Sequence, residues 1–539
     1  MPVIPISHVF LYANKITLIS TAEQAGIRNQ GQLFASSGNV AIDANGRLVN
    51  SGTMAAANVQ DMNNTAEHKV NIRSQAFENS GTAVSQQGTQ IHSQSIQNTG
   101  KLLSAGTEDL AVSGSLNNQN GEIATNQQLI IHDGQQSTVV IDNTNGTIQS
   151  GRDVAIQAKS LSNNGTLAAD NKLDIALQDD FYVERKIVAG NELSLSTRGS
   201  LKNSHTLQAG KRIRIKANNL DNAVQGNIQS GGTTDIGTQH NLTNRGLIDG
   251  QQTKIQAGQM NNIGTGRIYG DNIAIAATRL DNQDENGTGA AIAARENLNL
   301  GIEQLNNREN SLIYSGNDMA VGGALDTNDQ ATGKAQRIHN AGAIIEAAGK
   351  MRLGVEKLHN TNEHLKTQLV ETGRERIVDY EAFGRHELLR EGTQHELGWF
   401  VYNNESDHLR TPDGVAHENW HKYDYEKVTQ ETQVTGTAPA KIIAGSDLII
   451  DSKAVFNSDS RIIAGGNCLC KQKKTVCITS KPLARRKSSA KMVSCTTTGV
   501  RVVKDMMKQG IVNKIILCRR KSHATFHWVH LPMNRIAKH

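Results

Sequence analysis

The sequence predicts an all-β chain, a right-handed parallel β-helix built as a solenoid of about 20-residue coils, with a small non-repeat insertion. Three observations carry this reading. A motif of apolar residue, any residue, Asn, short polar turn with Gly, apolar residue recurs along most of the 539 residues. A second motif falls between its copies: Ala or Ser, Gly, a polar pair, then alternating apolar residues. The chain has six prolines, and none lies between positions 6 and 411. Proline removes a ladder donor, so its absence suits continuous β-pairing.

The first motif reads IRNQGQL (27–33), LVNSGTM (48–54), IQNTGKL (96–102), LSNNGTL (161–167), LTNRGLI (242–248) and IHNAGAI (338–344). Asn29, Asn50, Asn79, Asn98, Asn118, Asn143 and Asn163 stand 21, 29, 19, 20, 25 and 20 residues apart. Asn203, Asn222, Asn244, Asn262 and Asn282 follow at 19, 22, 18 and 20. Asn and Gly at fixed offsets can supply the left-handed backbone that coil corners need. Stacked Asn side chains can also bond to each other along the axis. Structural turn roles are therefore expected for Asn29, Asn50, Asn98, Asn163, Asn222, Asn244, Asn262 and Asn282.

The second motif reads SGRDVAIQA (150–158), AGKRIRIKA (209–217), YGDNIAIAA (269–277) and IAGSDLIID (443–451). Alternation over five or six residues puts one apolar row inward and one polar row outward. One such unit cannot bury its inner face alone, and stacking coil on coil does so. A disordered polar linker would not hold Ile, Leu and Val at fixed inward positions. A β-sandwich array would show a period of about 100 residues.

Composition agrees. Hydrophobic residues make up 37% and aromatics 4%, which is thin for several globular cores but adequate for stacked aliphatic rows. The net charge of +5 belongs to the end of the chain: residues 467–539 hold 17 Lys and Arg against the single acid Asp505. Residues 1–466 keep 39 basic and 50 acidic side chains, a net of −11, so a nucleic-acid partner is not expected. No run of about 18 apolar residues is present, so no membrane span is expected. The opening MPVIPISHVFLYANKITLIS has neither a basic n-region nor a small-residue cleavage site, and it reads as strands of the body.

The alternation of LxNxG and AGxDLxIxA motifs resembles the haemagglutinin repeats of filamentous haemagglutinin and of the large contact-dependent growth-inhibition exoproteins. The stretch YANKITLISTAEQAGIRNQGQLFASSGNVAIDANGRLVNSGTMAAANVQ (12–60) is especially similar, and the resemblance covers roughly 11–360 and 438–467. It implies an adhesive or display rod that is secreted or held at the outer cell surface. It also implies two partners for the full-length parent, an outer-membrane two-partner transporter and a receptor on a host or neighbouring cell. The signal peptide and secretion domain of that family are not displayed by this sequence. An alternative within the resemblance is the stalk and receptor-recognition part of a growth-inhibition toxin carrier.

The repeats stop over 361–437, which hold eight of the 19 aromatics: Tyr380, Phe383, Trp399, Phe400, Tyr402, Trp420, Tyr423 and Tyr425. Exposed Trp and Tyr dominate binding hot spots, so Trp399, Phe400, Tyr402, Trp420, Tyr423 and Tyr425 are the expected partner-binding residues. Within the same stretch His417, Glu418 and His421 match the zinc-protease pattern H-E-x-x-H. That chemistry needs both histidines on one helical face. Pro412 and Gly414 lie just before them, and the run from Trp420 to Thr429 leans towards strand. Glu426 or His408 could complete a site, but nothing selects either. These are read as surface polar residues, and a metalloprotease is a distant alternative. No catalytic residue, metal or cofactor is expected.

Repeats resume at 438–466, and at 467 the composition changes in every respect. All five cysteines (Cys468, Cys470, Cys477, Cys495 and Cys518) lie beyond it, as do His523, His527 and His530. The expected organisation is a solenoid over 1–360, an aromatic- and His-rich insertion over 361–437, resumed repeats over 438–466, and a basic tail over 467–539 that reads as out-of-frame or disordered sequence. A basic toxin or nucleic-acid-binding tail is the rival for that last segment.

Overall fold

The computed structural model describes residues 3–6, 10–57, 67–134, 136–403, 407–471 and 478–479. The chain divides into two compact units: a first unit of 1–363 and 439–482 with a short later piece, and a second centred on 364–438. The first is a β-solenoid of parallel coils.

One coil illustrates the rest. Strands Thr206–Ala209, Arg212–Ala217 and Asn219–Asn222 follow one another with short corners between them. Each pairs in parallel with its counterpart in the coil before, as Leu207 with Ile187, Ile213 with Leu193 and Leu220 with Leu201. Each pairs again with the coil after, as Leu207 with Ile228, Ile213 with Thr234 and Leu220 with Leu242. The alternating apolar residues point inward and are buried; Arg212, Arg214 and Lys216 on the same strand point outward. Aliphatic rows run along the interior, for instance Ile268, Ile292, Ile313, Ile345 and Ile442. Burying each such side chain contributes about 1.5–3 kcal/mol, and stability accumulates coil by coil. Glycine at the corners is required by close approach: a Cβ on Gly100 would lie 2.1 Å from the carbonyl oxygen of Gly81.

The repeated asparagines form a second internal row. Each lies within one residue of a strand end, with its side chain buried at a corner except at the half-buried Asn457. The Nδ2 of each donates to the Oδ1 of the next along Asn29, Asn50, Asn79, Asn98, Asn118, Asn143 and Asn163, at 2.7–2.8 Å. A second ladder runs through Asn203, Asn222, Asn244, Asn262, Asn282, Asn307, Asn340, Asn360 and Asn457 at 2.7–2.9 Å. Many of these amides also donate to a backbone carbonyl, as Asn98 does to Glu122 at 3.2 Å. One expectation is corrected. The ladder asparagines do not adopt left-handed backbone; that conformation falls on corner residues beside them, such as Asn120, Asn145 and Asn310. An extended backbone is what keeps the ladder side chains stacked.

The two ladders are separated at Val183, twenty residues after Asn163 and twenty before Asn203, with which it pairs. There the buried Nδ2 of Asn163 has no hydrogen-bond partner. An unmet buried donor costs roughly 1–3 kcal/mol. Val183→Asn should therefore join the ladders, and the recovered donor, about 1–3 kcal/mol, should offset the lost Val burial to within about 1 kcal/mol. Denaturant unfolding of the variant checks this; a loss of about 2 kcal/mol or more would contradict it.

The solenoid takes in residues at both ends of the repeat region. Val3–Ile6, Phe10–Ala13 and Ile16–Ser20 pair with Gly26–Asn29, Gln32–Ala35 and Val40–Ala44. Cys468–Lys471 pairs with Leu448–Asp451, and half-buried Cys468 and Cys470 pack against the core. Strand pairing thus runs four residues past the expected boundary at 467: Cys-Leu-Cys-Lys keeps the inward–outward alternation, and a thiol serves as a small apolar side chain. The other tail cysteines and histidines lie outside the described residues.

Candidate functional site

The second unit begins where the repeat pattern ends. Lys366–Ala382 and Trp420–Gly436 form a long antiparallel ribbon, aligned from Lys366 opposite Gly436 to Ala382 opposite Trp420. Neither strand contains Pro, and Gly373 lies beside an irregularity in register. Charged pairs line the surface: Arg376 meets Asp424 at 2.8 Å, and Arg374 meets both Glu371 and Glu426. Exposed pairs of this kind contribute little to stability.

At one end of the ribbon the chain builds a small cap. Leu389–Arg390 adds to the Lys366–Ala382 strand, and a one-turn helix, Gln394–Leu397, follows. A hairpin of Phe400–Asn403 and Asp407–Arg410 comes next, joined by Ala416–His417. Val378, Tyr380, Ala382, Leu389, Trp399 and Leu409 form its core, with Trp420 packed against them. Asp379 is buried and takes a 2.9 Å bond from Arg390. Asp413, bonded by Thr411 and Arg385, is held down to about 2.

The six aromatics proposed for contact separate into different environments. Trp399 is interior, 1% exposed, 5.1 Å from the Tyr380 ring, and its indole N–H donates to Thr393 at 3.0 Å. A large flat side chain is the means by which so small a unit fills its core, so Trp399 holds the cap together and is not a contact residue. Trp420 is half-buried, 5.6 Å from Tyr380. The half-buried Tyr423 donates its hydroxyl to Glu381. Phe400 is exposed, under Arg410 and 5.6 Å from Tyr402, which stacks on His408 at 5.3 Å. Tyr425 lies opposite Ile377 on the ribbon, and its side chain is outside the described residues. Phe383, which motif reasoning passed over, is 70% exposed, the most of the described rings in this unit, and 6.2 Å from His421. Leu388, Leu397 and Val415 are exposed as well. No periodicity marks such residues; only the fold decides which apolar side chain stays outside.

The H-E-x-x-H residues do not share a helix. His417 ends the short strand Ala416–His417, while His421 lies on the ribbon opposite Glu381. Exposed Glu418 faces His408 at 3.8 Å. Among the described residues no group of three His, Cys, Asp or Glu could hold a metal ion. No helix among them is long and apolar enough to cross a membrane.

The haemagglutinin-repeat family model matches residues 20–52, 55–136, 104–184, 150–205, 314–374 and 414–467, together more than half of the chain. The chain belongs to the haemagglutinin-repeat family. The repeats of this family correspond here to the coils just described, and two of the matched stretches run into the ribbon from either side. The haemagglutinin-repeat chain is also 26% identical to Toxin CdiA of Yersinia pestis over 196 residues. That match takes in 35% of this chain and spans 6% of that relative's length. No solved structure matches.

Proposed function

We propose that this chain is a stalk segment of an exported bacterial adhesin or toxin carrier, and that the cap at 378–420 recognises a protein receptor on a host or neighbouring cell. The observation that carries this reading is the continuity of the solenoid across the excursion. Ile345 pairs directly with Ile442, and Asn360 bonds to Asn457 at 2.7 Å, although the whole second unit is inserted between them in sequence. A module that can be inserted without interrupting the stack is free to vary its surface. Phe383, Phe400 and Leu388 supply exposed apolar area of the type that anchors protein interfaces. The parent protein would be delivered to the outer surface or medium through an outer-membrane two-partner transporter. The similarity to Toxin CdiA favours a growth-inhibition stalk as the second reading. No catalytic role is assigned.

Excising 364–438 and joining Glu363 to Pro439 tests the proposal. Circular dichroism and melting of the solenoid should be unchanged, while binding to target cells by flow cytometry falls at least about tenfold, or 1.4 kcal/mol. Undiminished binding would place adhesion on the solenoid itself.

A further inference from the structure

The ribbon of Lys366–Ala382 and Trp420–Gly436 leaves one long edge open. Its sheet runs Leu389–Arg390, Lys366–Ala382, Trp420–Gly436, so among the described residues the last strand pairs on one side alone. The half of the ribbon away from the cap has no core either. Residues 366–376 are exposed except at half-buried Val370, and residues 430–435 on the facing strand are exposed as well. A two-stranded ribbon with neither face covered is marginal in water. An open edge of this length is a template for a further strand. The run 428–435 reads Val-Thr-Gln-Glu-Thr-Gln-Val-Thr, and its β-branched residues favour such pairing.

We propose that this edge pairs antiparallel with the same edge of a second copy of the chain, about a two-fold axis at Thr429. Two-fold pairing of an edge with itself keeps every side chain on its own face of the sheet, so the register must be centred on a residue. Charge then selects which one. Centring on Glu426 sets two carboxylates against each other, and centring on Lys427 sets two ammonium groups together. Like charges directly opposite are destabilising. Centring on Val428 is neutral. Centring on Thr429 puts a Thr–Thr pair on the axis and sets Lys427 of each copy opposite Glu431 of the other. Over 424–434 it brings no like charges opposite: Asp424 meets Val434, Glu426 meets Thr432 and Val428 meets Gln430. Both charged partners are available. The ion pairs near the middle of the ribbon use Glu371, Arg374, Arg376, Asp424 and Glu426, and among the described residues none takes Lys427 or Glu431. The other edge of the ribbon is not equivalent, because Leu389–Arg390 already pairs with Asp379 and Tyr380. The product is a continuous sheet in which each ribbon supplies the main-chain partners that the other lacks.

Sedimentation velocity of the full chain across a range of concentrations tests this. The wild type should dimerise reversibly, with a Kd of about 1–10 µM. Lys427→Glu and Glu431→Lys each set like charges opposite across the axis. Each should weaken the dimer at least about tenfold, with circular dichroism unchanged. Mixed in equal amounts, the two variants should form a heterodimer within about threefold of the wild-type affinity, because every pair across the axis is then again of opposite sign. A wild type that stays monomeric at about 100 µM would overturn the proposal and leave the edge to a strand from another protein. A dimer indifferent to Lys427→Glu, or a mixture of the two variants that stays monomeric, would overturn it equally.

Discussion

Glu108→Leu should stabilise the solenoid by about 3–5 kcal/mol at pH 9 and by much less at pH 5. Glu108 occupies an inward position, between Thr89 of one coil and Leu129 of the next. It is fully buried, and neither carboxyl oxygen has a hydrogen-bond partner. Burial alone pushes its pKa from the ordinary 4.5 up to about 8. The folded chain therefore holds this proton more tightly than the unfolded chain. The contribution to stability is fully present below about pH 4.5 and is lost as pH rises towards 8, at roughly 1.4 kcal/mol per pH unit. Leucine removes the titration and matches the aliphatic row. Urea unfolding at pH 5, 7 and 9 should give a wild-type midpoint that falls with pH relative to the variant. A difference between the two that is constant across pH would contradict the burial of this carboxyl.

Trp399→Ala should unfold the cap while leaving the solenoid intact. The cap core has six buried members, and Trp399 is the largest. Truncating a buried Trp costs roughly 3–5 kcal/mol, and the change also leaves the Thr393 hydroxyl without its indole donor. So small a core has little stability to spare. Limited proteolysis should open sites within 383–420, near-ultraviolet dichroism should fall, and solenoid melting should stay put. Trp399→Phe should retain most of the fold. If Trp399→Ala instead spares the cap and abolishes cell binding, Trp399 is a contact residue and the core described above is wrong.

The parts of this molecule that repeat were legible in the sequence. Alternation in RIRIKA over 212–217 fixes which side chains face inward, because a strand has a period of two. The spacing of Asn203, Asn222 and Asn244 already encodes the coil length. What sequence could not supply were features that depend on single contacts. Val183 looks like any inward Val, yet it sits where the ladder needs an amide. Trp399 and Phe400 are neighbours of similar character, and only the closing of the cap buries one and exposes the other. The hairpin of Ala324–Leu325 and Ala331–Thr332 leaves a trace, the 33-residue step from Asn307 to Asn340, but its seat on Gly301 and its ion pairs of Asp329 with Lys254 and Lys334 with Asp451 join residues far apart in the chain. The strand lean of the residues after His417 was readable, since β-branched and aromatic residues crowd that run.

Hydrogen exchange on the intact chain tests the continuity of the stack most directly. Met351–Thr361 and Leu448–Ser458 pair over ten positions across the excursion. Their amides should exchange slowly and with similar protection, as do those of Arg267–Gln283 and Ala291–Arg308 in the uninterrupted coils. Fast exchange confined to 441–458 would mean that the coils do not close over the insertion, and the stalk with an inserted module would have to be abandoned.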